Sequence, residues 1–213
     1  MSVAAKICGL STPDTVAAAI AGGARFVGFV FFPPSPRNLS PAQAGPLIRT
    51  VPAGVTRVGV FVDPDDDLLK HVLAAAPLDL IQLHGEETPA RVAQIKQRFG
   101  RKTMKAIKIA SESDLAAAPR YTGVVDWLMF DARPPKEATR PGGNALAFDW
   151  ELLRARQWPL PWILSGGLTP DNVADAVRVS RAAAVDVSSG VEYAPGVKDV
   201  AKIRAFLAAV SAL

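Results

Sequence analysis

A single thiol and a few carboxylates stand at the ends of apolar runs in this chain. Cys8 closes Lys6-Ile7-Cys8, and Asp131 follows Leu128-Met129-Phe130. A thiolate can take a proton from carbon. A carboxyl group can deliver one, provided burial or a neighbouring carboxylate raises its proton affinity. Asp186, and after it Asp63, could be that neighbour. A thiol with an ordinary pKa of about 8.5 needs only a small push to supply thiolate at neutral pH. Lys6 could give part of it, although sequence neighbours on a strand turn to opposite faces. The amides around Gly190 could give more. Both residues also have a plain reading, since most unpaired cysteines are small buried hydrophobes and an aspartate after a strand can simply cap a turn.

Groups that could hold a small anion lie nearby in the same phase. The stretches Ser165-Gly166-Gly167 and Asp186-Val187-Ser188-Ser189-Gly190 each follow an apolar run. Small residues let backbone amides approach an oxyanion, and a following helix start adds a favourable dipole. Gly166, Gly167, Ser188, Ser189 and Gly190 are therefore candidates for a phosphate cradle, although Gly22-Gly23 shows that double glycines also make ordinary turns. Arg37 offers a planar fork for a carboxylate or phosphate, or is a solvated loop arginine. His84 could donate to a substrate or be a satisfied core histidine, whereas His71 sits in helix-period sequence and reads as structural. Two separated histidines and one cysteine do not make a metal site.

These residues need a frame that gathers them. Apolar runs recur at 4–8, 25–31, 57–62, 78–83, 103–109, 127–130, 162–164 and 183–187. Most are nearly continuous in Val, Ile, Phe and Leu, as in parallel strands buried on both faces. Thr12-Pro13, Ser40-Pro41, Asp63-Pro64, Thr88-Pro89 and Thr169-Pro170 each follow a run closely. A capping side chain followed by proline is a helix start. Further helices are expected near 113–118, 148–156 and 197–210. Eight strand–helix units fill a chain of this length, and an open doubly wound sheet would bring a glycine-rich dinucleotide fingerprint that is absent. The pattern predicts α/β architecture, one (β/α)8 TIM barrel of eight parallel strands with outer helices spanning residues 1–213. In such barrels reactive groups sit where strands end, and the loops after strands seven and eight are the recurrent phosphate site.

Composition is that of an ordinary globular domain. The 213 residues are 49% hydrophobic and 21% charged, with a formal net charge of +4. Its Lys and Arg are scattered rather than clustered into the stripe that nucleic acid requires. No apolar run approaches the roughly 18–20 residues of a membrane-spanning helix, and the first residues lack the basic start and apolar stretch of a secretory signal. The lone cysteine agrees with a reducing compartment. A cytoplasmic enzyme is expected, as a monomer or homodimer, with a small phosphorylated molecule as its partner and neither nucleic acid nor membrane.

The stretches KICGL, GFVFFPPSPRNLS, VGVFVD, IQLHG, MFDA, SGGLTPDNV, DVSSGVE and PGVKD, running in order from Lys6 to Asp199, resemble those of the phosphoribosylanthranilate isomerases of tryptophan biosynthesis. The resemblance implies an Amadori rearrangement of N-(5-phosphoribosyl)anthranilate to 1-(2-carboxyphenylamino)-1-deoxyribulose 5-phosphate, without cofactor or metal. It implies Asp131 as acid, Cys8 as base and Arg37 as the holder of the anthranilate carboxylate. It implies a phosphate cradle at Gly166, Gly167, Ser188, Ser189 and Gly190. His84 and Asp186 are further candidates to line the substrate. The family usually reads GGTG after the sixth strand, and Pro141-Gly142-Gly143-Asn144-Ala145 stands there instead. Three rivals are weighed against this reading. Another phosphosugar aldose–ketose isomerase would bring paired aspartates, and an epimerase would bring metal-binding histidines. A non-catalytic barrel that binds a phosphorylated ligand would need Arg37 and the glycine loops but not both Cys8 and Asp131.

Overall fold

The eight apolar runs pair in chain order into a closed ring of parallel strands. The computed structural model describes residues 2–133, 147–154 and 156–213. The strands are β1 (Ala4–Cys8), β2 (Phe26–Phe31), β3 (Thr56–Phe61), β4 (Leu80–Leu83), β5 (Lys102–Ile109), β6 (Trp127–Ala132), β7 (Trp162–Leu164) and β8 (Ala184–Val187). Strand β8 pairs back onto β1, with Lys6 opposite Asp186, and closes the barrel. The segment carrying Pro141-Gly142-Gly143-Asn144-Ala145 lies outside the described residues.

Continuous apolar strands are required because each strand has two buried faces. One set of side chains, including Ile7, Val27, Phe29, Phe61, Ile81 and Leu128, packs outward against the helices. The alternate set, including Cys8, Val58, Leu80, Met104, Met129 and Ile163, fills the barrel interior. Period-two alternation sorts the two shells. On the outer shell Phe31 and Phe61 stack with ring centroids 5.2 Å apart. Truncating Phe61 to Ala would cost about 3–5 kcal/mol.

The helices are α1 (Pro13–Ala21), α2 (Pro41–Arg49), α3 (Asp66–Ala75), α4 (Pro89–Phe99), α5 (Glu151–Arg154), α6 (Val173–Ser180) and α7 (Val200–Ser211). Thr12, Ser40 and Thr88 cap α1, α2 and α4, each with proline in the first turn. Two of the Xaa-Pro pairs do not start a helix. Asp63 takes a left-handed φ of 45° and Asp65 caps α3 instead. Thr169 and Asn172 exchange hydrogen bonds in a turn that precedes α6. The helix expected near 113–118 is a 3-10 helix over Glu112–Tyr121 that contains Pro119, whose ring cannot accept α-helical backbone pairing. Over 148–156 the helical turn described is α5 alone.

The largest departure from the expected elements comes after β8. The helix expected from 197 starts at Val200, capped by Asp199. Before it, β9 (Glu192–Ala194) and β10 (Val197–Lys198) form an antiparallel ribbon. Gly196, at φ 84°, makes the reversal, and a Cβ there would sit 2.6 Å from the Pro36 carbonyl oxygen. The ribbon is thereby held against the loop that carries Arg37. Among the described residues, no helix is long and apolar enough to cross a membrane.

Candidate active site

At the carboxyl ends of the strands the interior face changes from apolar to polar. Two positions after Lys6 on β1 comes Cys8, and two after Met129 on β6 comes Asp131. Along β4 and just past its end the sequence runs Leu80, Gln82, His84 by the same step, and along and just past β8 it runs Ala184, Asp186, Ser188. The period of two puts each series on the barrel axis. Cys8 and Asp131 therefore face inward at one mouth, each buried.

The thiol sits in a charged surround. Lys6 Nζ donates to Asp186 Oδ1 at 2.7 Å, and Ser165 Oγ donates to Asp186 Oδ2 at 3.0 Å. A Cβ placed on Gly28 would lie 3.1 Å from Cys8 Sγ and 3.2 Å from Lys6 Nζ, so glycine there leaves room for both. Lys6 is two positions from Cys8, not one, and shares its face. The alternation argument that set Lys6 aside applies to Ile7. Burial opposes the Lys6 ammonium, but Asp186 and the nearby thiol outweigh it and its pKa is pushed up to about 12. Burial pushes the Cys8 thiol above its ordinary value, with Lys6 and Lys198 pulling the other way and Asp186 adding to the rise. The small push toward thiolate expected at Cys8 is thus reversed in the resting site. Gly190, the other source proposed for it, packs closely on the β7 loop, where a Cβ would lie 1.9 Å from the Leu168 carbonyl oxygen.

The carboxyl group has a different surround. Asp131 Oδ2 lies 2.9 Å from His84 Nε2, and Oδ1 accepts from the Ala132 N–H at 3.0 Å. On the far side of the imidazole, Gln82 Nε2 is 2.9 Å from His84 Nδ1. His84 thus spends one ring nitrogen on Asp131 rather than pointing to open space. Asp186 makes its hydrogen bonds to Lys6 and Ser165 rather than to Asp131. Asp63 makes none to Asp131 either. Its Oδ1 accepts from the Glu86 N–H at 2.8 Å.

The remaining candidates form the rim. Arg37 is not a solvated loop arginine, being 4% exposed. Its Nε donates to Glu192 Oε1 at 2.7 Å and its Nη2 to Oε2 at 2.8 Å, and Lys198 Nζ adds a third bond to Glu192 at 2.6 Å. Its stem crosses Gly9, where a Cβ would sit 2.6 Å from Arg37 Cδ, directly after Cys8. Gly166 and Gly167 have φ of 95° and 65°, a region that side chains disfavour. A Cβ on Gly166 would strike the Ala132 backbone nitrogen at 2.6 Å. Together with the Gly190–Leu168 approach, this packs the β7 and β8 loops on each other and on the end of β6. Ser188 Oγ donates to the Cys8 carbonyl at 3.2 Å and fastens β8 to β1. Ser189 and Gly190 lie in a one-turn 3-10 helix.

Gln82, Ser165, Glu192 and Lys198 take places in the site that the sequence reading does not assign, and Lys6 is one it weighed and set aside. Lys6 and Gln82 carry a readable signal, a polar residue two positions before a candidate on an apolar strand. Glu192 and Lys198 carry none, since what ties that pair to the site is Arg37, 155 residues before Glu192. A cavity of about 600 Å³ touches Lys105, Lys108, Arg120, Tyr121 and Arg133. Neither Cys8 nor Asp131 lines it, so it lies beside the mouth rather than in it. Among the described residues, no three His, Cys, Asp or Glu side chains are grouped to hold a metal ion.

Residues 5–209 match the family described as N-(5'phosphoribosyl)anthranilate (PRA) isomerase. The chain belongs to that family. It is 58% identical over 212 residues to N-(5'-phosphoribosyl)anthranilate isomerase of Paracoccus denitrificans, covering 100% of this chain and 99% of the relative. The crystal structure of phosphoribosyl anthranilate isomerase from Thermotoga maritima superposes with a TM-score of 0.88 at 36% identity, covering 99% of this chain and all of that one. A further isomerase structure, in complex with reduced 1-(O-carboxyphenylamino)-1-deoxyribulose 5-phosphate, has a TM-score of 0.85 at 36% identity, covering 99% and 100% of the two chains.

Proposed function

We propose that Asp131 is the acid and Cys8 the base with which this isomerase converts N-(5'-phosphoribosyl)anthranilate to 1-(2-carboxyphenylamino)-1-deoxyribulose 5-phosphate. Asp131 gives its proton to the ribose ring oxygen, the C1–O bond breaks, and the nitrogen lone pair completes an iminium. The Cys8 thiolate removes the proton from C2, leaving an enolamine. The enolamine gains a proton at C1 and loses its hydroxyl proton to become the ketone. C1 is reduced and C2 oxidised within one molecule, so electrons balance without a cofactor. The enzyme is reset when the Cys8 thiol loses its proton and the Asp131 carboxylate regains one.

What supports this reading is the placement of Cys8 and Asp131 on one interior face at one mouth, with the packed β7 and β8 loops beside them. The substrate's phosphate takes Gly166, Gly167, Ser188, Ser189 and Gly190 as its cradle, remote from the bonds that change, and so holds the sugar in register. Arg37 sets its cation above the Cys8 end. A substrate carboxylate there would share that cation with Glu192. Asp186 acts through Lys6, and His84 through Asp131. Every group used comes from one chain, residues 1–213 working as one barrel domain, so the reading holds for a monomer and for a homodimer in the cytoplasm.

The test is turnover of freshly made substrate, followed as loss of anthranilate-type fluorescence. Cys8→Ala and Asp131→Asn should each lose at least about a hundredfold in kcat while thermal melts show a folded protein. Near-wild-type turnover in either variant overturns the role given to that residue. No turnover by the wild-type protein at high concentration favours a barrel that only binds its phosphorylated ligand.

A further inference from the structure

Gln82 is a polar residue at the centre of the barrel, 1% exposed, on a strand whose other inward positions are Leu80 and His84. Its amide nitrogen faces His84 Nδ1 at 2.9 Å and Met129 Sδ at 3.3 Å. Its carbonyl oxygen is buried without a hydrogen-bond partner. A buried amide left half-satisfied is uncommon in a well-packed interior. The unpaired atom here belongs to a line of three side chains that ends on Asp131.

We propose that Gln82 is a positioning residue for acid catalysis, rotating its side-chain amide so that His84 stays hydrogen-bonded to Asp131 in both protonation states of that carboxyl group. The proposal rests on the reading of Asp131 as the acid. With Asp131 ionised, His84 carries its proton on Nε2 and donates it to Oδ2. Nδ1 is then an acceptor and needs the Gln82 amide N–H, which is the arrangement observed. When the His84–Asp131 pair holds one more proton, Nδ1 carries a hydrogen, whether the extra proton sits on Asp131 or on the imidazole. Nδ1 then needs an acceptor. A half-turn of the amide about its terminal bond places the unpaired carbonyl oxygen there, with no other heavy atom moving. Glutamine presents a donor and an acceptor from nearly the same envelope. Leucine, glutamate or lysine would serve one state at most.

The other ionisable groups near the pair are engaged among themselves. Asp63, from the loop after β3, accepts from the Glu86 backbone. Lys105 on β5 pairs with Glu87 and Lys108 with Glu86. Arg133 after β6 pairs with Asp114, and Lys6 on β1 pairs with Asp186 on β8. None of these pairs makes a hydrogen bond to His84 or Asp131, so the amide is the group in contact that can answer the change of protonation.

The chain has two histidines, so 15N spectra of the intact wild-type enzyme resolve His84 with exposed His71 as an internal control. The expected result is an Nε2–H tautomer at high pH that gains a proton at Nδ1 as pH falls. The limb of the kcat–pH profile with the same midpoint is the one set by Asp131. Gln82→Glu, an acceptor only, should move that limb upward by about one pH unit, and Gln82→Lys, a donor only, should move it downward by a similar amount. KM should change less than threefold in both. A His84 tautomer that does not change across the profile overturns the proposal. So do limb shifts in the same direction or no shift at all. The 15N titration stands if a variant does not fold. Asp131→Asn with near-wild-type turnover would instead sink the assignment of the acid, a separable result.

Discussion

The two sides of the barrel mouth surround an ionisable group in opposite ways. Around Cys8 the protein sets fixed charges: Lys6 paired with Asp186, and farther out Arg37 and Lys198 paired on Glu192. Around Asp131 it sets groups that can carry or release a hydrogen without net charge, His84 and Gln82. A buried thiol is held protonated by desolvation, and only a nearby cation pulls against that. A carboxyl acid must pass between neutral and charged forms in every turnover, so a fixed cation beside it would favour the ionised form. If Cys8 is the base and Asp131 the acid, as proposed, the first needs an opposing charge and the second needs partners that tolerate both states.

The contrast is most directly broken at Lys6. Removing it alone would leave Asp186 as a lone buried carboxylate, a costly state, so Lys6→Met is paired with Asp186→Asn. Lys6 outweighs Asp186 at the sulfur, so the double variant should hold the thiol higher. Turnover at pH 7 should fall by about tenfold or more, one unit of pKa being tenfold in thiolate. Cys8 is the chain's one cysteine, so the pH dependence of iodoacetamide labelling reads this group directly. Labelling should rise only above the ordinary thiol range and move higher still in the double variant. In a Cys8→Ala background the same pair of changes should cost no further activity, and a further loss would give Lys6 a role beyond the thiol.

Arg37→Ala tests the charged rim. It should raise KM by about tenfold, roughly 1.4 kcal/mol, with kcat changed much less, and steady-state kinetics with intact substrate check it. An unchanged KM would move the carboxylate contact elsewhere. The same rim makes an acid-stability prediction. Burial works against the Glu192 carboxylate, but Arg37 and Lys198 outweigh it and hold its pKa below the usual value. A carboxylate whose folded pKa is depressed stabilises the protein fully above its unfolded pKa, near 4.3, and that stability is lost as pH falls through the folded value. Thermal melts should therefore drop more steeply below about pH 4 in the wild type than in Glu192→Gln. Equal slopes would mean that the ion cluster contributes nothing there.

The smallest effect belongs to the frame. Ser40→Ala removes the cap of α2, whose hydroxyl accepts from the Gln43 N–H at 3.3 Å. It should cost about 1 kcal/mol of stability, seen in chemical denaturation, and leave kcat and KM unchanged. A kinetic effect from that position would mean that frame and site are less separate than the comparison holds.

The frame was nearly all legible along the chain because parallel strands buried on both faces write themselves as unbroken apolar runs. All eight strands fall within about two residues of those runs. Legibility failed where tertiary contacts overrode local signals. The β9–β10 ribbon displaces the first residues of an expected helix because Glu192 and Lys198 are needed against Arg37, and Asp63-Pro64 reads as a cap although Asp63 is occupied by the Glu86 backbone. Within the site, Cys8, Asp131 and the paired glycines announced themselves as unlike residues at strand ends.

Composition and periodicity alone determined the barrel and which residues turn inward, because strand alternation needs nothing beyond the order of the residues. Charge state and partnership were decided only when distant strands closed the ring. Arg37 met Glu192, Asp186 went to Lys6 rather than to Asp131, and His84 became the neighbour of Asp131. Electrostatic work depends on separation and burial in three dimensions, and a linear chain carries neither quantity.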